Sequence, residues 1–263
     1  MNKFARLKAI LVSLKNAVVA YSGGLDSTLL LKVAVDTLGK GNVLAVTARS
    51  ETYPASEYAC AKDMARRIGA RFMTIHTSEL AIPRFKQNPA DRCYYCKREL
   101  FKKLDEIRKR NKFHYLLDGT NYDDLKDVRH GRKAAAQRGV RSPLLEAKIT
   151  KTDIRAYSKR LKLPTWDKPS FACLASRIPF GDTIERKALT TIDKAENYVR
   201  ELGVRQVRVR AHKRIARIEV AQSDFAKIIS RKDQIVKRLR ALGFVYVALD
   251  LAGYRTGSMH EAA

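Results

Sequence analysis

Three clusters in this sequence have residue types and spacing suited to chemistry. The first is AVVAYSGGLDSTLLLKVA, residues 17–34, which sets a Ser-Gly-Gly-x-Asp-Ser loop between an apolar run and a helical pattern. Gly23 and Gly24 let a backbone turn tightly and come close to an anion. The N–H groups of such a turn, and of the helix that follows, point at that anion. Ser22, Ser27 and Thr28 add hydroxyls, and Asp26 can hold a magnesium ion bridging phosphates. No lysine follows the glycines, so this is not the G-x-x-x-x-G-K-[ST] loop of ordinary nucleotide hydrolases. The bland reading is a glycine turn capping a helix, and the strand and helix around it argue against that.

The second cluster is DRCYYCKREL, residues 91–100, with Cys93 and Cys96 flanking two tyrosines. A C-x-x-C pair can be half a zinc site, a redox disulfide, part of an iron–sulfur site or a coincidence. The pair by itself does not choose. Cys173 stands far along the chain, and Cys60 lies in a helical pattern where a buried small apolar role is expected. The third cluster is RVRAH, residues 208–212. On a strand Arg208 and Arg210 share a face, and two guanidinium forks on one face suit a phosphate or a carboxylate. Its bland reading is a solvated strand face in a basic protein. Ser176 and Arg177, close behind Cys173, are candidates for the same phosphate. Trp166 reads as a packing residue, and His212 ranks low as a site residue.

Positioning these groups requires a particular arrangement of elements. The runs AVVAY, NVLAVTA, RFMTIHT and HYLLDGT read as buried strands alternating with helix-length segments. That alternation predicts a parallel sheet with helices on both faces. Ligands in such folds sit at the carboxyl ends of the strands. Here those ends carry Ser22, Gly23 and Gly24, then Thr47, Thr77, and finally Asp118 with Asn121. A side chain such as Asp118 or Asn121 can meet ATP or a metal there, or simply stabilise a turn. The pattern changes after RIPFG, residues 177–181. A helix over about 184–202 precedes RQVRVRAH and RIARIEV, which alternate like half-buried strands. The reading is an α/β chain: a first domain over 1–181 and a smaller α/β domain over 182–263.

The remaining composition narrows the classes. With 263 residues, 45% hydrophobic and 30% charged, the chain can bury a core. No apolar run reaches the 18 or so residues needed to cross a bilayer. Four cysteines, unevenly placed, argue for a reducing cytoplasm rather than a disulfide scaffold. The basic, amphipathic start lacks a long apolar core and a cleavage site, so it reads as a helix of the mature fold. A net charge of +26 suggests polyanions such as nucleic acid. The basic residues are spread along the whole chain, which weakens a nucleic-acid partner without removing it.

The Ser22–Ser27 stretch resembles the PP-loop of the ATP pyrophosphatase superfamily, whose members cleave ATP between the α and β phosphates. Further stretches, among them NPADRCYYCKRELF, LPTWDKPSFACLASRIPFG and RQVRVRAHKRIARIEV, resemble the LarE family over nearly the whole chain. The resemblance implies a Rossmann-like PP-loop domain and a small substrate-binding and oligomerisation domain in a homo-oligomer. It implies an ATP-dependent sulfurtransferase that uses magnesium to adenylate a pyridinium dicarboxylate mononucleotide on the route to a nickel-pincer cofactor. ATP and its magnesium then fall to Ser22, Gly23, Gly24, Asp26, Ser27, Thr28, Thr47, Asp118 and Asn121. The substrate falls to Ser176, Arg177, Glu196, Arg208, Arg210 and Glu219. In one branch of the family the sulfur comes from a sacrificed cysteine of the ACLxSR motif, Cys173 here. In another, three cysteines hold a 4Fe–4S cluster carrying an extra sulfide, replenished by a sulfide donor. Cys93, Cys96 and Cys173 match that second pattern. A tRNA thiolase built on the same loop is the rival reading. A non-catalytic ATP sensor with a structural metal clamp is another.

Overall fold

The computed structural model describes residues 2–125, 130–169 and 171–255, so the end of the expected second domain, 256–263, lies outside the described residues. The chain forms two compact units. One comprises 1–78 and 91–171, the other 79–90 and 172–263. The expected boundary after residue 181 therefore falls inside the second unit, which also takes in the distant segment 79–90.

In the first unit α1 (Lys3–Leu14) leads into β1 (Ala17–Ala20), α2 (Leu25–Leu38), β2 (Val43–Arg49), α3 (Ala55–Ile68) and β3 (Arg71–His76). Helix α4 (Pro83–Lys86) belongs to the second unit. The chain then returns with α5 (Arg92–Arg110), β4 (Tyr115–Leu117), α6 (His130–Ala136), α7 (Pro143–Glu146) and α8 (Lys151–Arg160). The four strands form a parallel sheet in the order β3-β2-β1-β4. Successive residues of β1 face opposite ways. Ala17 and Val19 pack with Leu7, Leu11, Leu29 and Ile154, on the side of α1, α2 and α8. Val18 packs with Phe101, Leu104 and Phe113, on the side of α5. The central strands are thus covered on both faces, as parallel sheets must be. β3 differs from the expected buried strand: at the sheet edge its residues are half-buried or exposed. Helix α8 starts on a reciprocal capping box, Thr150 with Asp153, which stabilises a helix start by about 1 kcal/mol.

The second unit continues with α9 (Arg186–Glu201), β5 (Val207–His212), β6 (Ile215–Val220), α10 (Phe225–Ile229), α11 (Lys232–Ala241) and β7 (Tyr246–Leu249). β6 is central, antiparallel to β5 and parallel to β7. Leu189, Ile192, Ala195 and Val199 form the buried stripe of α9, which packs on β5. β5 is buried along nearly its whole length rather than on alternate residues. The reason is that Arg208 and Arg210 are covered as thoroughly as the valines beside them. Asn88 ties the segment 79–90 into this unit. Its side-chain amide donates to the carbonyls of Ile178 and Pro179, and its main-chain carbonyl accepts from Gly181 N.

Candidate functional site

The Ser-Gly-Gly loop leaves the carboxyl end of β1 and enters α2 at Gly24, the N-cap, which makes no side-chain capping bond. The helix start therefore presents main-chain N–H groups without a side-chain cap. Gly23 sits at φ +63°, and a Cβ there would lie 2.6 Å from Cβ of Ala61 on α3. Only glycine fits. Gly119, just past β4, is also closely approached: a Cβ there would be 3.0 Å from Ser27 N. Ser22 and Ser27 face each other across the loop, Oγ to Oγ 3.1 Å, and Ser27 Oγ also approaches Gly24 O.

Side chains from outside the loop hold its carbonyls. Thr47 Oγ1 donates to Tyr21 O at 2.7 Å, Tyr53 OH to Ser22 O at 2.8 Å, and Lys168 Nζ to Gly23 O at 3.1 Å. Lys168 also pairs with Glu57 on α3 at 2.7 Å. Burial and the neighbouring Glu57 push the Tyr53 phenol well above its ordinary range, so it stays a donor. Asp26, expected to hold magnesium, meets Lys151 here. Its two carboxylate oxygens accept from Lys151 Nζ, one at 2.7 Å. A carboxylate at a helix start is a fitting ligand for a hard cation, and the Lys151 ammonium occupies the same oxygens. Lys151 supplies, from 125 residues away, the cation that no lysine within the loop supplies. Lys151, Lys168 and Tyr53 were not legible as site residues. The capping box beside Lys151 marks a helix start but not where its side chain goes.

Three expected ATP contacts turn out to be occupied. Thr47 is 1% exposed, and its hydroxyl is the donor to Tyr21 O. It positions the loop. Thr28 is fully buried, with its hydroxyl 3.4 Å from Tyr21 OH. Asn121 is buried and accepts from Asp123 N, a turn role. Asp118, only partly buried, accepts from Thr120 N and Oγ1 and from Ser142 Oγ. Both side chains make local turn bonds.

Cys93 and Cys96 lie in the first turns of α5, three residues apart and so on one side of the helix. Cys93 is exposed and Cys96 half-buried. Two thiols at a helix N-terminus suit a metal or cluster that needs them as thiolates. Arg98 lies over both intervening rings, 5.7 Å from Tyr94 and 5.5 Å from Tyr95. Among the described residues no group of three or more metal-ligating side chains gathers at one point. Cys60 is exposed on α3, contrary to the buried role expected of it. Trp166 is 39% exposed with Lys159 Nζ 5.0 Å above its ring, so it covers a surface rather than filling a core.

In the second unit the expected substrate residues come together in one buried network. Glu196 on α9 accepts from Arg177 Nε at 2.8 Å and Nη2 at 3.0 Å, from Arg200 Nη2 at 2.7 Å, and from Val209 N at 3.0 Å. Arg210 donates to Glu219 at 2.7 Å and to Ser176 O at 2.8 Å. Arg208 is paired in register with Glu219, and its guanidinium lies 5.3 Å from the Tyr254 ring centre. Arg177, Glu196 and Glu219 are completely buried. Both acids thus meet their arginines in the interior and not at the surface. Arg177 spans Glu196 and the carbonyls of Ala172 and Cys173, so it fixes the Cys173 backbone. Ser176 Oγ donates to Cys173 O as well.

The electrostatics of this network are uneven. Burial alone would raise the Glu196 pKa, but Arg177 and Arg200 hold it below the ordinary carboxylate range. Burial and the Arg177 charge push Arg208 down to about 10. Three buried guanidiniums, Arg177, Arg208 and Arg210, face two buried carboxylates. The excess positive charge suits a phosphate. His212 accepts from Arg217 Nε, and burial, followed by Arg217, lowers its pKa. It is a packing histidine of the network's rim.

A parallel sheet whose first strand runs through Ser-Gly-Gly-x-Asp-Ser into a helix defines a PP-loop domain of the ATP-using class. Residues 3–120 match the NAD synthase family model. The chain is 41% identical over 262 residues to an uncharacterized protein of Synechocystis sp., covering 99% of this chain and 97% of that protein. It is 39% identical over 259 residues to the pyridinium-3,5-bisthiocarboxylic acid mononucleotide synthase of Lactiplantibacillus plantarum, covering 98% and 94%. An uncharacterized protein of Methanocaldococcus jannaschii is 31% identical over 242 residues, 92% of each chain. The chain belongs to the LarE family. No helix among the described residues is long and apolar enough to cross a membrane.

Proposed function

We propose that this protein is an ATP-dependent sulfurtransferase that makes the bisthiocarboxylate mononucleotide from pyridinium-3,5-biscarboxylic acid mononucleotide. The observation that carries the reading is 39% identity, along 98% of the chain, to a relative named as that synthase. The loop chemistry agrees with it. The N–H groups at the start of α2 and the hydroxyls of Ser22 and Ser27 receive the pyrophosphate half of ATP. Asp26 would hold the magnesium, and Lys151, its ion-pair partner, would add positive charge beside the phosphates. The substrate carboxylate takes up AMP with loss of pyrophosphate, and sulfur then displaces AMP. Arg208 and Arg210 bind the phosphate of the mononucleotide, within a network whose charge balance favours an anion.

Cys93, Cys96 and Cys173 would supply the thiolates if the protein holds a 4Fe–4S cluster, and the chemistry such a cluster would supply is delivery of sulfide to the adenylated carboxylate. Arg177 and Ser176 hold the Cys173 backbone in place for this. A homo-oligomer in the cytoplasm, supplied by a sulfide donor, completes the reading.

The test is anaerobic. Purified protein is incubated with ATP, magnesium, sulfide and the dicarboxylate mononucleotide, and nucleotides and protein mass are followed. AMP and thiocarboxylate are expected, with Cys173 intact after many turnovers and iron lost in Cys93→Ala. Release of ADP instead of AMP refutes the ATP chemistry. A loss of about 34 Da at Cys173, one hydrogen sulfide, makes Cys173 itself the sulfur source and refutes the cluster.

A further inference from the structure

Three consecutive carbonyls of the PP-loop, those of Tyr21, Ser22 and Gly23, each accept a hydrogen bond from a side chain outside the loop. The donors are Thr47 in β2, Tyr53 just after it, and Lys168 more than a hundred residues further on. They come from separate segments, so the coincidence is not a local turn motif. In a trans peptide the carbonyl and the following N–H point in opposite directions, and no peptide among the described residues is cis. A carbonyl drawn outward therefore aims the next N–H inward. Ser22 N shows this: with Tyr21 O held by Thr47, it points across the loop to Ser27 Oγ at 3.3 Å. By the same geometry the Tyr53 bond sets the Gly23 N–H, and the Lys168 bond sets the Gly24 N–H.

This matters because glycine peptides rotate easily. A flip at Ser22–Gly23 or Gly23–Gly24 would turn a carbonyl oxygen toward the anion in place of a donor. Lys168 is only 19% exposed and is itself fixed by Glu57, while Tyr53 is steadied by an edge contact with Phe171 at 6.1 Å. Both donors are thus held before any ligand arrives. Preorganised donors of this kind need no rearrangement when charge develops.

We infer that Tyr53 and Lys168 are positioning residues for the pyrophosphate of ATP. They pin the Ser22 and Gly23 carbonyls outward so that the Gly23 and Gly24 N–H groups form the anion cradle, with Thr47 doing the same one peptide earlier. The inference rests on the ATP reading proposed above, and inorganic pyrophosphate is the probe that separates the two.

Pyrophosphate binding is measured by calorimetry on the full chain and on Tyr53→Phe, Lys168→Met and Lys168→Arg. Glycine amides labelled with nitrogen-15 are followed alongside. Loss of the neutral Tyr53 bond is expected to weaken binding about three- to tenfold, and loss of the charged Lys168 bond about tenfold or more. Lys168→Arg is expected to recover most of the affinity. In the wild type, pyrophosphate should shift the Gly23 and Gly24 amide signals. In Tyr53→Phe the Gly23 shift should shrink while the other glycine signals stay put. A merely structural role would move signals broadly or lower the melting temperature without that selectivity. Wild-type binding with unchanged affinity and amide shifts in Tyr53→Phe and Lys168→Met overturns the inference alone. No pyrophosphate or ATP binding by the wild type overturns the ATP reading, and the inference with it.

Discussion

Replacing Arg208 with methionine is expected to stabilise the protein while removing its capacity for phosphate. Arg208 is 5% exposed, and burial together with the Arg177 charge lowers its pKa to about 10. That displacement corresponds to a cost of keeping the charge in place on the order of 3 kcal/mol. Methionine removes the cost and fills similar apolar space. It also loses the stacking on Tyr254, about 1 kcal/mol, and the hydrogen bond to Val207 O, about 1 kcal/mol. The cost of the buried charge exceeds either of these losses, which favours the variant. Urea denaturation at neutral pH measures this directly, provided the slope is unchanged. A phosphate titration supplies the second arm. Phosphate should raise the wild-type midpoint, because an anion relieves the repulsion among Arg177, Arg208 and Arg210, and should leave the variant's midpoint nearly unmoved. A variant less stable than wild type by more than about 1 kcal/mol would refute the argument, since it would mean that burial of this charge is fully compensated. So would phosphate stabilisation that survives the substitution.

Glu196→Ala should have the opposite effect on stability, costing about 3–5 kcal/mol because it strands the fully buried Arg177; thermal and urea unfolding check it. The folded Glu196 carboxyl lies below its ordinary 4.5, so its contribution is complete above about pH 4.5 and is lost as pH falls through the folded value. Acid titration of wild type against Glu196→Gln should show the two stabilities converging only in that acidic window. Gly23→Ala must adopt φ +63° and drive a Cβ to 2.6 Å from that of Ala61, so ATP-dependent AMP release should fall at least about tenfold, in line with a strain of 1–3 kcal/mol. Adding Ala61→Gly should recover little of the activity, since it removes the Cβ contact but leaves the new Cβ 2.8 Å from the Ala61 Cα and the backbone angle unchanged. Asp26→Ala should abolish AMP release while leaving the melting temperature within a few degrees, because its ion pair with Lys151 is partly exposed.

Local order in the chain carries the PP-loop and the sheet that presents it. An apolar run, two glycines with a narrow conformational requirement, and a helical stripe are all contiguous, so residues 17–34 declare their geometry without help from the rest of the molecule. The alternation of strands and helices through residue 120 is legible for the same reason, as is the later strand pair carrying Arg208 and Arg210. Burial is a different matter. Arginines and glutamates read as surface residues, and only the packing of α9 on β5 brings Glu196 under Val209 and closes the network around Arg177. Cys60 reads as a core residue and lies on the surface, because the α3 stripe that packs inward is Ala61, Met64 and Ala65. The side chains that finish the ATP loop were beyond reach of the sequence. Lys151 meets Asp26, and Tyr53 and Lys168 meet the loop carbonyls, across separations at which no periodicity links one residue to another. A motif specifies the backbone that touches a ligand. Which distant donors hold that backbone in place is decided by where the chain folds back, and that is a property of the tertiary structure alone.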